Sequence, residues 1–328
     1  MNAPCLIGLD WGTSSLRAYL MGDDGHVLEQ RAMPRGILRV PGGDFAATFA
    51  EVTEGWHEAV PGGLPQLACG MIGSAQGWRE VPYVRSPADV ATLSAGLANV
   101  LTASGSRLHI VPGVRHDGPV PSVLRGEETQ IVGALVLRPS LAERALLVLP
   151  GTHSKWVEVR DGAIGRFETY MAGELFALLR EHSILGRPAR DAGAEARTGE
   201  PGSAFERGVD TVRDSGRAGV MARLFSARSL VLTGALAAVE SLDYLSGMLI
   251  GEELRSALTA YEVHPLPAVT LIADPLLCRL YRRAFARFDL PEPEVVEDAA
   301  SMGLWHIACT AGLVDAVSVT DTAGSTFA

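Results

Sequence analysis

Asp10-Trp11-Gly12-Thr13-Ser14-Ser15 places an acid, a glycine and three small hydroxyls within one short segment. The N–H groups of such a turn, with its hydroxyls, can cradle phosphate oxygens, while the carboxylate holds the water shell of a magnesium ion. Arg17 adds a local positive charge. Taken alone, the segment also fits a plain β-hairpin with turn-favouring residues. A second segment, Pro150-Gly151-Thr152-His153-Ser154-Lys155, repeats glycine and small hydroxyls and adds a lysine. If two halves of the chain were related by a pseudo-twofold, these turns would face each other and grip one polyphosphate. The coincidence favours phosphate binding at Gly12, Thr13, Ser14 and Arg17 and at Gly151 to Lys155. No Walker loop, G-x-G-x-x-G, G-x-S-x-G or H-E-x-x-H occurs.

Arg125-Gly126-Glu127-Glu128 opens a helical pattern. Acids at a helix start complement its dipole and need do nothing more; the functional alternative is a general base beside the phosphates. A fourth segment, Cys69-Gly70-Met71-Ile72-Gly73-Ser74-Ala75-Gln76-Gly77-Trp78, runs from a strand into a glycine-rich loop, followed by Arg79, Glu80 and Tyr83. Amide, hydroxyl and charged groups beside an aromatic face suit a sugar or sugar acid, outside a strand's C-terminal end. The plainer reading is a loop in which Trp78 covers the core. The histidines show no metal-ligand spacing, so core or surface roles are preferred for them.

The elements that must position these segments follow from periodicity. Cys5–Asp10, Leu16–Met21 and the strand-like 26–39 read as an antiparallel meander with tight turns. A helix is expected over 45–60, a strand over 67–72, a helix over 88–103, a strand over 108–111 and a helical segment over 122–137. The meander then restarts, with strands at 145–149, 155–160 and 164–171. This is a duplication of architecture rather than of letters. Helices are expected over 173–182, 203–225 and 241–259, a strand over 269–273, and helices from Pro275 and Asp298. The stretch 186–202 reads as a surface loop and 317–328 as a frayed tail. Strands alternating with helices give a mixed α/β class.

Composition sets limits on partners. The 328 residues are 47% hydrophobic and 20% charged, an ordinary globular balance, and the chain is long enough for about two domains. Against 38 acidic residues stand 28 basic ones, a net charge of −10 that disfavours nucleic acid and anionic membranes as partners. Cys5, Cys69, Cys278 and Cys309 form no C-x-x-C pair and lie in apolar stretches, so buried reduced thiols and a cytoplasmic location are expected. Asp10 interrupts the first apolar run and no basic segment precedes it, which argues against a signal peptide. Polar residues break the uncharged stretch 90–106, so it is not a membrane span.

The chain resembles the sugar-kinase/actin-like ATPase superfamily: LDWGTSSLRAYL looks like its first phosphate motif and LPGTHSKWVEV like its second. Within it, CGMIGSAQGWREVPY, LRGEETQIVGAL, LPGTHSKW, YMAGELFALLREHSILGR and DYLSGMLIGEELR look like the blocks of 2-dehydro-3-deoxygalactonokinases, over about 5–313. The two turns alone reach only the superfamily; GMIGSAQGW, RGEETQ and PGTHSKW in this order are far more specific.

The resemblance implies two actin-like (ribonuclease H-like) domains, at 1–137 and 138–297, with an ATP cleft between them. The helix over 298–313 would cross back to the first domain, leaving 314–328 as a loose tail. It implies ATP and Mg²⁺, and phosphorylation of the terminal C6 hydroxyl of 2-dehydro-3-deoxy-D-galactonate in galactonate breakdown. Asp10 would hold Mg²⁺ through water, and Arg17 and Lys155 would neutralise charge. Ser74, Gln76, Gly77, Trp78, Tyr83 and Arg125 would meet the sugar acid. Glu127 would be the base, with Glu128 the near-equal alternative. Adenosine would lie at LIADPLLCRLY, where Ala273 or Asp274 stands in place of a typical glycine. Three rivals remain: a kinase for another sugar acid or polyol, a phosphatase of the superfamily, and a non-catalytic ATP-binding regulator. Self-association is left open.

Overall fold

The computed structural model describes residues 3–56, 63–193, 202–261 and 268–315. The chain divides into two compact units: Met1–Arg144 with Val159–Arg166 and Asp298–Ala328, and Ala145–Glu158 with Phe167–Glu297.

The first unit opens with the meander β1 (Pro4–Trp11), β2 (Leu16–Gly22) and β3 (Val27–Met33), followed by α1 (Phe45–Val52) and β4 (Gln66–Gly70). Then come β5 (Val84–Arg85), α2 (Val90–Ala95), β6 (Ala98–Leu101), β7 (Arg107–Ile110), β8 (Val114–His116), β9 (Ser122–Leu124) and α3 (Glu127–Leu137). The main sheet runs β3-β2-β1-β4-β7-β6, and β5-β8-β9 form a small sheet. β1, β2 and β3 pair antiparallel, while β4 and β7 add in parallel. Leu9, Trp11, Leu16, Ile72 and Ile110 centre the core beneath this sheet.

The second sheet is built from β10 (Arg144–Leu149), β11 (Ser154–Arg160) and β12 (Ala163–Tyr170). Asp161 and Gly162, at φ 51° and 75°, make the two-residue turn between the last two. The helices α4 (Ala172–His182), α5 (Arg187–Asp191), α6 (Ser203–Arg213), α7 (Ser226–Leu232) and α8 (Ser241–Ala260) intervene before β13 (Val269–Leu271). Next come α9 (Pro275–Arg287), β14 (Glu294–Val295) and α10 (Ala299–Thr310). The order is β12-β11-β10-β13-β14. It is the same third-second-first-fourth-fifth order that β3-β2-β1-β4-β7 follows, with both crossover strands again parallel. The repeated order is the ribonuclease H-like, actin-like arrangement, and the duplication legible in the sequence is real at the level of topology.

Contacts within each unit explain the layers. α10 crosses α3 at backbone range: a Cβ on Gly133 would lie 1.8 Å from the Ala299 carbonyl, and one on Gly303 1.9 Å from that of Thr129. Leu304 of α10 also reaches Gly8 of β1. In the second unit Trp156, Phe205, Ile250 and Phe285 share a core, with Trp156 and Phe285 stacked at 6.3 Å.

Several expected boundaries move. Pro34 has no N–H to continue a ladder, so β3 ends at Met33 and residues 37–39 form a 3-10 turn. The first expected helix stops at Val52, and its expected last residues lie outside the described ones. The helix expected over 88–103 is α2 alone; Gly96 closes it, and Ala98–Leu101 instead pair with β7. The helical segment over 122–137 begins as β9, because Gly126 takes φ +112°. Glycines at positive φ, Gly216 and Gly219, follow α6, so the helix expected over 203–225 ends at Arg213; α7 was not anticipated. In the expected loop over 186–202, residues 187–191 are helical with Pro188 and Ala189 buried, while 194–201 lie outside the described residues, as does 317–328. Cys69 and Cys278 are buried free thiols, whereas Cys5 and Cys309 are only half-buried. No described helix is long and apolar enough to cross a membrane.

Candidate active site

Asp10 stands at the end of β1, opposite Arg17 of β2 and beside Cys69 of β4. Facing cross-strand neighbours on one sheet face can pair directly, and the Arg17 guanidinium donates to Asp10 Oδ2 at 2.7 Å. The Asp10 side chain retains 13% exposure. Burial raises its pKa, and the Arg17 charge and hydrogen bond pull the other way. Beyond it Thr13, Ser14 and Ser15 are exposed. The turn closes with Gly12 N–H on the Ser15 carbonyl, while Ile37 and Leu38 N–H groups hold the Gly12 and Thr13 carbonyls. A Cβ on Gly36 would fall 2.2 Å from the Ser14 nitrogen, so glycine alone lets that segment press against the turn.

Two glycines bring the RGEE segment to the same end of the sheet. Gly70, at φ +93°, leaves no room for a Cβ, which would sit 2.7 Å from the Trp11 carbonyl. A Cβ on Gly126 would lie 3.1 Å from the Gly70 Cα. The start of α3 therefore rests on the β4 terminus, beside the Asp10 strand. Glu127 is half-buried, and its Oε2 accepts the Arg125 N–H at 2.8 Å. Glu128 is fully buried; its carboxylate accepts the Gly126 N–H at 2.7 Å and the Thr129 hydroxyl at 3.1 Å. Burial, then the Glu127 charge, pushes Glu128 up to about 7. Burial raises the Cys69 thiol well above its usual value, and the charges of Asp10 and Glu128 add to it.

The loop after β4 makes one 3-10 turn, Met71–Gly73, and folds back so that Gly77 N–H meets the Ser74 carbonyl and Val81 N–H that of Gly73. Gln76 is exposed and Gly77 half-buried. Trp78 stacks on Phe45 at 6.4 Å and tilts onto Phe49, so its ring does cover the core. The Arg125 guanidinium lies over the Tyr83 ring at 4.1 Å and donates to the Val81 carbonyl at 2.8 Å. Its Nη1 and the Ser74 Oγ are buried without a hydrogen-bond partner. Two unpaired donors, one on the loop after β4 and one from the segment before α3 that packs on Gly73, suit an anionic oxygen.

In the second unit, Thr152 and His153 are exposed at the turn between β10 and β11, with Gly151 half-buried. The Thr152 carbonyl accepts the Glu174 N–H at 2.9 Å, and His153 pairs with the Glu174 carboxylate. Ser154 and Lys155 have inward roles: Ser154 donates to Glu253, and Lys155, 6% exposed, donates to Thr169. Glu253 escaped the sequence reading. Its signal was an acid one helical turn from Ile250, Leu249 and Ala257, on the apolar side of α8. At the expected adenosine turn, Asp274 caps α9 by accepting the Leu276 and Leu277 N–H groups.

Magnesium fits this donor set as a nucleotide-borne ion. Among the described residues no group of three or more His, Cys, Asp or Glu could cage a metal. Asp10 instead offers one carboxylate, the usual protein share when phosphates and water supply the remaining ligands.

Comparison with known proteins gives the family. The family model described as 2-keto-3-deoxy-galactonokinase matches residues 10–307. A 2-dehydro-3-deoxygalactonokinase of Escherichia coli (strain K12) is 37% identical over 298 residues, covering 90% of this chain and 94% of the relative. A probable 2-dehydro-3-deoxygalactonokinase of Rhizobium meliloti (strain 1021) is 38% identical over 280 residues, covering 84% and 87%. A crystal structure from Sinorhizobium meliloti that carries the same kinase name superposes with a TM-score of 0.82 at 32% identity, covering 93% of this chain and 98% of the other. The match spans the Asp10 turn, the RGEE segment and the 151–153 turn alike: the chain belongs to the 2-keto-3-deoxy-galactonokinase family.

Proposed function

We propose that this chain transfers the γ-phosphoryl group of ATP to the terminal C6 hydroxyl of 2-dehydro-3-deoxy-D-galactonate, as a soluble cytoplasmic enzyme of galactonate breakdown. The two compact units serve as its two working domains. The observation that carries the chemistry is the seating of Gly126 on Gly70, which places a half-buried carboxylate, Glu127, at the same sheet end as Asp10 and the exposed hydroxyl turn.

Phosphoryl transfer needs positioning and charge neutralisation more than covalent help. The turns at 12–15 and 151–153 would bind phosphate oxygens through N–H groups and hydroxyls, with Arg17 adding positive charge. Bound magnesium would neutralise β- and γ-phosphate charge, and Asp10 would hold its water shell. Arg125 and Ser74 would take the carboxylate of the sugar acid, beside Gln76 and Tyr83. Glu127 would accept the C6 hydroxyl proton as that oxygen forms its bond to the γ-phosphorus and the bond to the β,γ-bridging oxygen breaks, leaving ADP. Glu128 is enclosed and would hold the start of α3 in place.

Purified protein with Mg-ATP should release ADP only with 2-dehydro-3-deoxy-D-galactonate or a close analogue. Equal release without an acceptor would replace this reading with a phosphatase. Turnover of a different sugar acid or polyol alone would keep the kinase and change its substrate.

A further inference from the structure

Glu253 lies 2% exposed in the apolar interior of the second unit, and none of the steps above uses it. Its Oε1 accepts the Ser154 hydroxyl at 2.6 Å and the Trp156 indole N–H at 2.8 Å. Its Oε2 accepts the Tyr281 hydroxyl at 2.8 Å. Ser154 and Tyr281 also meet each other at 3.2 Å. All four side chains are buried, and they come from three elements: β11, α8 and α9.

We propose that Glu253 is a positioning residue for the nucleotide, tying the 151–153 turn to helix α9 through Ser154 and Tyr281. The inference rests on the reading of that turn as a phosphate site. A buried carboxylate carries a desolvation cost that apolar packing would avoid, so its retention needs a geometric return. Here the return is a network in which Ser154, Trp156 and Tyr281 all find an acceptor in Glu253, and a satisfied buried network rigidifies its members. Ser154 directly follows the exposed Thr152-His153 tip. On the other side of the tip, α4 holds the chain: Glu174 N–H donates to the Thr152 carbonyl, and a Cβ on Gly173 would strike the Gly151 oxygen at 2.2 Å. The tip is thus clamped from both sides, by α4 backbone and by the Glu253 carboxylate. Clamped N–H groups bind phosphate without first being ordered. Through Tyr281 the same carboxylate fixes α9, which begins within the segment 271–281 expected to hold adenosine. Burial pushes Glu253 up to about 7 against the pull of its three donors, in keeping with its enclosure.

The test compares Glu253→Gln and Ser154→Ala with the wild type by calorimetric nucleotide affinity, KM for ATP, KM for the sugar acid, kcat and thermal unfolding. Both variants should weaken nucleotide binding and raise the ATP KM about tenfold, the equivalent of one hydrogen bond to a charged group. The sugar-acid KM and kcat should stay within about twofold, because uniform nucleotide binding alone is lost. A residue that only supports the core would lower the folded fraction and leave the ATP KM unmoved. Unchanged nucleotide affinity in folded variants, or an equal rise in both KM values, overturns the proposal. If Glu253→Gln does not fold, Ser154→Ala decides alone. Gly151→Asp separates this inference from the reading beneath it: a Cβ there meets nothing within 4 Å, so the variant adds only a negative charge at the turn. Wild-type nucleotide affinity in Gly151→Asp would overturn the phosphate turn itself. Weak binding there, with normal binding in the other two, would overturn the role of Glu253 alone.

Discussion

Gly126 rests against Gly70 so closely that a Cβ on the former would lie 3.1 Å from the Cα of the latter. Gly126 also holds φ at +112°, a conformation L side chains rarely adopt. Gly126→Ala should therefore lose roughly 1–3 kcal/mol of stability in urea unfolding. It should also lift the start of α3 from the sheet end and lower kcat about 10²-fold, as misplacement near 1 Å can. Normal turnover in this variant would separate the close approach from catalysis.

The neighbouring acids should differ in role. Glu127→Gln keeps shape and removes the base, so kcat should fall roughly 10²–10⁴-fold with ATP affinity intact. Asp10→Asn should instead weaken magnesium-dependent nucleotide binding. Glu128→Gln should leave kcat within about tenfold, because Glu128 is enclosed and bonded to Gly126 and Thr129. An inactive Glu128→Gln beside an active Glu127→Gln would move the base by one residue.

Glu128 and Glu253 make stability depend on pH in a defined direction. Both are raised by burial from 4.5 to about 7. The folded state thus keeps protons to higher pH than the unfolded state. The stabilisation this gives is fully present below about 4.5 and is lost as pH rises through about 7. For each group it amounts to about 3 kcal/mol. Urea unfolding across this window should show the decline, and Glu128→Gln or Glu253→Gln should each flatten it. A profile that the two variants leave unchanged would refute the assignment.

Arg125 should govern the sugar acid rather than the nucleotide. Its guanidinium combines a stack over Tyr83 with a donor to Val81 and an unpaired buried Nη1. Arg125→Lys keeps the charge but loses the planar fork. The sugar-acid KM should rise about tenfold or more, and the ATP KM should not change. Equal effects on both KM values would place Arg125 outside the acceptor site.

The sequence by itself determined the duplicated meander, the two hydroxyl turns and the acids at the start of α3. Each depends on local physics: alternation within a strand, glycine and hydroxyls at a turn, charge at a helix end. It also carried the family, because several blocks kept their order along the chain. Local periodicity misjudged the stretch 88–103, where pairing with β7 made 98–101 a strand. It could not separate Glu127 from Glu128, since neighbours on a helix differ in burial only once α10 and the sheet pack against α3. Nor could it tell that Ser154 and Lys155 turn inward, toward Glu253 and Thr169, while Thr152 and His153 stay exposed. Glu253 itself is 97 or more residues from each β11 side chain that it bonds. Hydrogen bonds across such separations exist only after the elements have packed, so tertiary structure alone could decide them.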